Sequence, residues 1–375
     1  MPLISLIEVG GRPEPGFDNT DALYRWFQAM AEHGEAGWLD AGRFEFYSQI
    51  RLRDYSVTIL AANPQSAQLV PMMTGDVFAL DMEDNTGRNA LVMRQVGWGL
   101  PDGGAQVRCK PFRWRQLGST TRVQNGVVLD GVLLDRSPRQ MNYWSGPAEL
   151  NAYAINVDRC TMVGWGVVVA QPTTALLRIS GPWTDHRIRD SRFAGATAMI
   201  EIAEEVEGVV IDGCSGISGP TFISDQRDAG AEPMLQVMNC NIDTCAVAIT
   251  LKHRRRVIVK NNLIWARPQS GYDTDWVGIR QLDGGAPDAM IADNEFVLLD
   301  GFSGTKMCAD IQGGSAWLRG NEVRVQEGSE DTWDVAWNFE AAVTGGRVGF
   351  PLNDYAGVTT TVVDASGNVV LDPDD

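Results

Sequence analysis

Between residues 18 and 34 the apolar positions run at helical spacing. Leu23, Trp26, Phe27 and Met30 fall at i, i+3, i+4 and i+7, which puts them on one face of about four turns. Asp18, Asn19 and Thr20 are N-cap residue types, and Gly34 stands where a left-handed C-cap residue belongs. The spacing predicts one amphipathic helix over 19–33. Beyond it the period shortens to two. G-W-L-D-A-G-R-F-E-F, Q-I-R-L-R-D and V-T-I-L-A-A-N are short, partly alternating runs separated by Gly, Asp and Asn. Strands take over there, and no comparable helix recurs.

The strand-like runs repeat with a common ending. V-V-L-D-G-V closes at Val132, I-N-V-D-R-C at Cys160, H-R-I-R-D-S at Ser191 and V-V-I-D-G-C at Cys214. L-Q-V-M-N-C follows at Cys240, V-I-V-K-N-N at Asn262, A-M-I-A-D-N at Asn294 and A-W-L-R-G-N at Asn321. Successive separations are 28, 31, 23, 26, 22, 32 and 27 residues. A floor with variable additions is what a solenoid produces when loops of different length sit on its corners. Leucine-rich repeats have a similar period but need their leucine pattern and a helix per repeat, and both are absent. Strands of successive coils pair at about 4.8 Å, so Cys160, Ser191, Cys214, Cys240, Asn262, Asn294 and Asn321 would stack in one column. Small polar side chains there would bond to neighbouring backbone. Cys214 and Cys240 would lie within bridging reach, but reduced, buried thiols are expected of a chain made in the cytoplasm.

The order G-F-D-N-T-D-A-L, the helix, G-W-L-D-A-G-R-F-E-F and then Q-I-R-L-R-D-Y-S-V-T-I-L resembles the opening of right-handed parallel β-helix proteins of the pectate-lyase superfamily. It looks most like the version in bacteriophage tailspikes and virion spikes. The likeness covers 17–70 and is specific for fold rather than activity, because that family holds lyases, hydrolases and non-enzymatic spikes. It implies an all-β chain, a right-handed parallel β-helix (solenoid) with an N-terminal capping α-helix and a C-terminal β region. The expected divisions are a short N-terminal segment at 1–16, the capping region at 17–37, the β-helix at 38–340 and a C-terminal β segment at 341–375. The last of these leaves the repeat pattern and is expected to pair chains, and the resemblance implies a homotrimer.

Charge narrows the function classes. Lys+Arg 31 against Asp+Glu 48 leaves a net charge of −17, which argues against a broad electrostatic hold on nucleic acid or on an anionic membrane. No apolar run approaches the roughly 18 to 20 residues of a membrane span, and the amino terminus lacks a signal-peptide pattern. Synthesis in the bacterial cytoplasm, without membrane insertion, is expected. The six cysteines include no C-x-x-C and there are three histidines, so no metal or cofactor site is expected. Nucleotide-binding loops and the hydrolase elbow are also missing. The 27 arginines against 4 lysines fit acidic sugar, but a GC-rich genome produces the same ratio.

Two loop columns could carry chemistry. One lengthens at 265–276, where Trp265, Tyr272 and Trp276 surround Asp273 and Asp275, and in the next coil it offers Asp300, Phe302 and Lys306. Aromatic faces that stack on sugar rings, with carboxylates between them, are what a polysaccharide groove requires. The expected catalytic residues are Asp273, Asp275 and Asp300; the expected substrate-binding residues are Trp265, Tyr272, Trp276, Phe302 and Lys306. Asp275 and Asp300 on adjacent coils would stand about 5 Å apart, the retaining-hydrolase spacing. A lyase would need these carboxylates with Arg280 or Lys306 as base. The plainer reading is that the aromatics cover apolar coils while Asp and Gly make turns. The second column precedes the repeat endings and sets the basic stretch 252–256 beside acidic loops, which reads either as a hold on acidic saccharide or as a ladder of ion pairs.

Polygalacturonase motifs are absent from the coil, and the Asn19-Thr20-Asp21 match lies at the helix cap instead. The resemblance then favours a virion spike or fibre protein that binds a host cell-surface polysaccharide, alongside other virion proteins, with cleavage left open. A polysaccharide depolymerase, hydrolase or lyase, acting as a free enzyme is the alternative.

Overall fold

The computed structural model describes residues 2–101, 108–117, 126–135, 144–164, 174–181, 185–203, 206–225, 234–252, 256–282, 288–349 and 354–372. They fall into two compact units, one ending at Phe193 and the other beginning at Ala194. The chain is a right-handed parallel β-helix, with a single α-helix among the described residues, near its start. In the first unit a representative coil runs through Ile155–Asp158 of a first sheet, Thr161–Val163 of a second and Ala175–Ser180 of a third. In the second unit Met234–Met238, Asn241–Thr244 and Val247–Leu251 repeat the order. Register in the first sheet matches the sequence spacing. Asp130 pairs with Asp158 and Asp158 with Arg189, and in the other unit Met238 pairs with Lys260, Lys260 with Ala292 and Ala292 with Arg319.

One turn explains why the coil closes. Between first and second sheets the middle residue is left-handed in coil after coil. These residues are Gln95, Gly131, Arg159 and Asp190 in the first unit, and Gly213, Asn239, Asn261, Asp293 and Gly320 in the second. Their φ values lie between 48° and 64°, the region that Asn, Asp and Gly tolerate best. Each such residue reverses the outward-inward alternation, so the following side chain points into the core.

The column of following residues forms a hydrogen-bonded ladder. In the first unit Ser191 Oγ accepts from Cys160 N at 3.0 Å and donates to Arg189 O at 2.7 Å. In the second, Asn262 Oδ1 accepts from Cys240 N at 2.9 Å, and Asn294 Oδ1 accepts from Asn262 N at 3.1 Å and from Asn262 Nδ2 at 2.9 Å. Asn321 Oδ1 accepts from Asn294 N at 3.1 Å and from Asn294 Nδ2 at 3.0 Å. Asn262, Asn294 and Asn321 also donate to Val237, Val259 and Ile291 carbonyls. All six cysteines are buried and none forms a disulfide. Burial pushes the thiols of Cys109, Cys160 and Cys245 up to about 12, which leaves them protonated and poorly reactive.

At the amino-terminal end the helix, α1 (Thr20–His33), lays Leu23, Trp26, Phe27 and Met30 on the core, and Gly34 closes it at φ 64°. Its N-cap, Asn19, does not cap through its side chain. That group is fully buried and bonds to Arg12, Phe17 and Glu45 instead, while Asp18 Oδ1 accepts from Thr20 N and Oγ1. The close approach requires glycine at 37, where a Cβ would stand 2.5 Å from the Trp26 ring and 2.7 Å from Met30 sulfur. Leu3–Ser5, expected only as part of a short leading segment, pairs in parallel with Ala36–Trp38 and starts the first sheet ahead of the helix.

Val343–Gly349, Val358–Asp364 and Val369–Asp372 pair in parallel with the preceding coil or with each other in the first and third sheets, so the coil continues past 341. The alternation there looks unlike a repeat because these strands expose more of their length, with Val363, Val370 and Leu371 all open to solvent.

Candidate functional site

The bends between second and third sheets carry the loops 267–275, 299–305 and 326–332, and the structure stacks them. Ser303 N donates to Asp273 O at 2.7 Å, and Gly304 N donates to Thr274 O at 2.8 Å. The candidate carboxylates are part of that stacking. Asp275 Oδ1 accepts from Thr305 N at 2.7 Å. Asp300 Oδ1 accepts from Asp331 N at 3.0 Å and from Ser329 Oγ, while Asp331 reaches back to Gly301 N at 2.8 Å. The bond from Ser329, helped by Asp331 N, holds the Asp300 carboxyl below the usual carboxylate range. That is opposite to what a proton donor needs at neutral pH. Asp273 is exposed.

The aromatic residues separate by depth. Trp265 is half-buried on the outer face of the second sheet, in register between Asp243 and Val297, and Tyr272 is half-buried in its loop. Trp276 is 0% exposed; its indole N–H donates to Thr244 O at 3.1 Å and its ring lies 5.4 Å from Trp333. Phe302 is 6% exposed. Lys306 is 8% exposed, with its ammonium on Gly304 O at 3.1 Å and 3.3 Å from Asp334. Trp276, Phe302 and Lys306 therefore hold the loop stack to the core and present little to a ligand, while Trp265, Tyr272 and Asp273 remain at the surface. Arg280 is paired with Asp310 at 3.2 Å. Burial raises the Asp243 carboxyl against the opposing pull of Arg267, but its Oδ1 is closed to solvent.

A different surface is built in the first unit, on the outer face of the third sheet. Ile50–Arg53, Phe78–Asp84 and Lys110–Gln116 pair in register, so Arg51, Asp81 and Arg113 form one column and Arg53, Glu83 and Arg115 the next. Between them Leu52, Met82 and Trp114 point inward and are buried. The outward side chains line a groove of about 520 Å³. Arg113 grips Asp81 with two bonds, at 2.8 and 2.7 Å, and its guanidinium lies 4.6 Å from the Phe78 ring centre. Glu83 receives both Arg115 and, at 3.4 Å, Arg53. Arg51 reaches Gln49 Oε1 at 2.7 Å, and the Tyr24 hydroxyl accepts from Arg51 N at 3.2 Å. A planar guanidinium locked by a two-bond pair, as Arg113 is on Asp81, is a pre-set donor for a hydroxyl-rich ligand.

Sequence reasoning passed over this groove. The signal was R-L-R, D-M-E and R-W-R, like charges two apart around an inward apolar residue, with the sign alternating from strand to strand. Of the basic stretch 252–256, residues 253–255 lie outside the described residues, as do most of the acidic loops beside it. Asp185 takes a φ of 66° and His186 opens a strand with its ring buried, as a turn followed by core. Among the described residues no three His, Cys, Asp or Glu side chains converge as a metal-ligand set, and no helix is long and apolar enough to cross a membrane.

No family model matches the chain, and no curated protein matches it. Among solved structures, the Dettilon tailspike protein aligns with 95% of this chain and 68% of its own, with a TM-score of 0.53 at 10% identity. The DFA-IIIase of Arthrobacter chlorophenolicus A6, in complex with GF2, aligns with 94% of this chain and 93% of its own, with a TM-score of 0.51 at 10% identity. ORF18 of Geobacillus virus E2 aligns over 98% of this chain and 61% of its own, with a TM-score of 0.47 at 12% identity. What the first two of these share with the chain is the parallel β-helix fold.

Proposed function

We propose that this chain is a virion-associated spike or fibre protein of a phage or phage-like particle, which binds a host surface polysaccharide in the third-sheet groove of its first unit. The groove carries this reading: six charged side chains on three paired strands, all but Arg51 in ion pairs, around about 520 Å³ of open space. Such a floor offers hydrogen bonds to sugar hydroxyls without first ordering its own side chains. The likeness in fold to a tailspike supports the particle, and the loop stack supports binding over cleavage, since the Asp275 and Asp300 carboxylates serve the loops. The test mixes purified protein with capsule and lipopolysaccharide from candidate bacterial hosts, then measures retention and the size of the glycan. Retention with unchanged glycan length is expected. Shortened products would favour the depolymerase reading instead. No retention by any host glycan, with the chain absent from particles, would end the proposal.

Assembly as a homotrimer through the region after 341 belongs to the same reading. Val363, Val370 and Leu371 are 37%, 60% and 54% exposed there, an apolar cost that burial between chains would remove. Light scattering should give a trimeric mass for the full chain and a smaller one for Val370→Asp with Leu371→Asp. A monomeric mass at micromolar concentration counts against it.

A further inference from the structure

Resting on the saccharide reading above, we propose that the groove selects a saccharide bearing an anionic substituent, which Arg51 and Arg53 hold while Asp81 and Glu83 meet its hydroxyls. The lining residues hold four arginines and two carboxylates, 4 − 2 = +2, on a chain whose net charge is −17. The surplus is not spread evenly. On the upper strand Arg113 and Arg115 are committed to Asp81 and Glu83. On the lower strand Arg53 makes one long contact to Glu83 with 73% of its side chain exposed, and Arg51 is exposed with a neutral partner, Gln49.

Arg51 and Arg53 are two residues apart on one strand, about 7 Å, and project from the same face. The committed pair lies two strands away, roughly 10 Å. A pyranose ring fits between these rows. Its carboxylate, sulfate or phosphate group would complete the lower row, where the planar fork of arginine is best used. A neutral sugar would leave the lower row to water. The overall negative charge repels acidic polymers at long range, so capture depends on this local surplus and should weaken steeply with salt.

The probe is hyaluronate, a carboxylated polymer, against the same polymer after chemical reduction of its carboxyl groups. The full chain should bind hyaluronate about tenfold or more tightly than the reduced polymer, as expected for charge-assisted contacts. The double variant Arg51→Gln with Arg53→Gln should lose about tenfold for hyaluronate and little for the reduced polymer, at an unchanged thermal midpoint. Equal affinity for both polymers, wild-type affinity in the variant, or no hyaluronate binding would overturn this inference. So would displacement by inorganic phosphate at matched charge, which would mark a bare anion site. Host-glycan retention that persists in the variant would overturn it while leaving polysaccharide binding intact. Hyaluronate binding without host-glycan retention would do the reverse.

Discussion

The turn between first and second sheets and the outer face of the third sheet are built on the same spacing, one residue per coil, yet they carry opposite chemistry. At the turn, Cys240, Asn262, Asn294 and Asn321 are 2% exposed or less, neutral, and matched donor to acceptor. On the outer face, Arg51, Asp81, Arg113 and their neighbours are charged, partly solvated, and over-supplied with cations at one edge. A buried ladder must satisfy itself, because water cannot reach its leftovers. An exposed ladder can leave donors open, and open donors are where a ligand enters. Stacking alone therefore does not distinguish structure from recognition; the environment of the column does.

The largest effect should come from the buried ladder. Asn294→Ala removes the side-chain partner of Val259 O and of Asn262 N and one of the two bonds of Asn262 Nδ2, and should cost about 2–3 kcal/mol in denaturant unfolding. Asn294→Cys, the residue type this column already uses at Cys240, should lose less than the alanine variant. If both lose equally, the column needs an amide rather than any small polar group. A loss below about 1 kcal/mol for alanine would mean that water enters the turn, and the contrast with the outer face would collapse.

One strand carries both environments. In Phe78–Asp84 the outward Asp81 and Glu83 precede Asp84, which is fully buried and accepts from Thr86 N and Oγ1, Gly87 N and Asn89 N and Nδ2. Burial pushes the Asp84 carboxyl up, but the bonds from Asn89 and Thr86 outweigh it and hold the group below its ordinary value. The folded state then binds its proton less readily than the unfolded chain. Stability from Asp84 is present above about pH 4, the unfolded carboxyl value, and is lost as pH falls through the lower folded one. Asp84→Asn should flatten the acid limb of the stability curve below about pH 4. An unchanged limb would show that the turn tolerates the protonated acid.

Smaller effects belong to the exposed ladder. A double-mutant cycle on Arg113 and Asp81, a half-buried two-bond pair, should give about 1 kcal/mol of coupling. The Arg53 and Glu83 cycle should give roughly 0.5 kcal/mol or less and vanish in high salt. Coupling of the buried kind at Arg53 would mean that the groove is a structural brace, and the anion inference would lose its premise.

How far the sequence could be read follows from the range of each determinant. The helix, its apolar face and Gly34 were legible because they depend on residues three and four apart. The coil period and the column from Cys160 to Asn321 were legible because each turn ends in a left-handed residue followed by a small polar one. Trp276 read as a surface aromatic from its loop neighbours, but it opens a strand, and its indole finds a carbonyl at Thr244, thirty-two residues earlier. Asp275 and Asp300 read as free acids because their backbone donors lie one coil further on.

The sequence by itself determined the inward half of this protein: the alternation that fills the core, the turn chemistry that closes each coil and the helix that covers its first strands. Those choices are local, and the same residue types recur wherever the geometry does. Tertiary structure decided the outward half. Arg51 meets Asp81 across 30 residues and Asp81 meets Arg113 across 32, so loop lengths set which charges become neighbours. Alternation says that a side chain faces out; only register, accumulated through those loops, says what it faces beside.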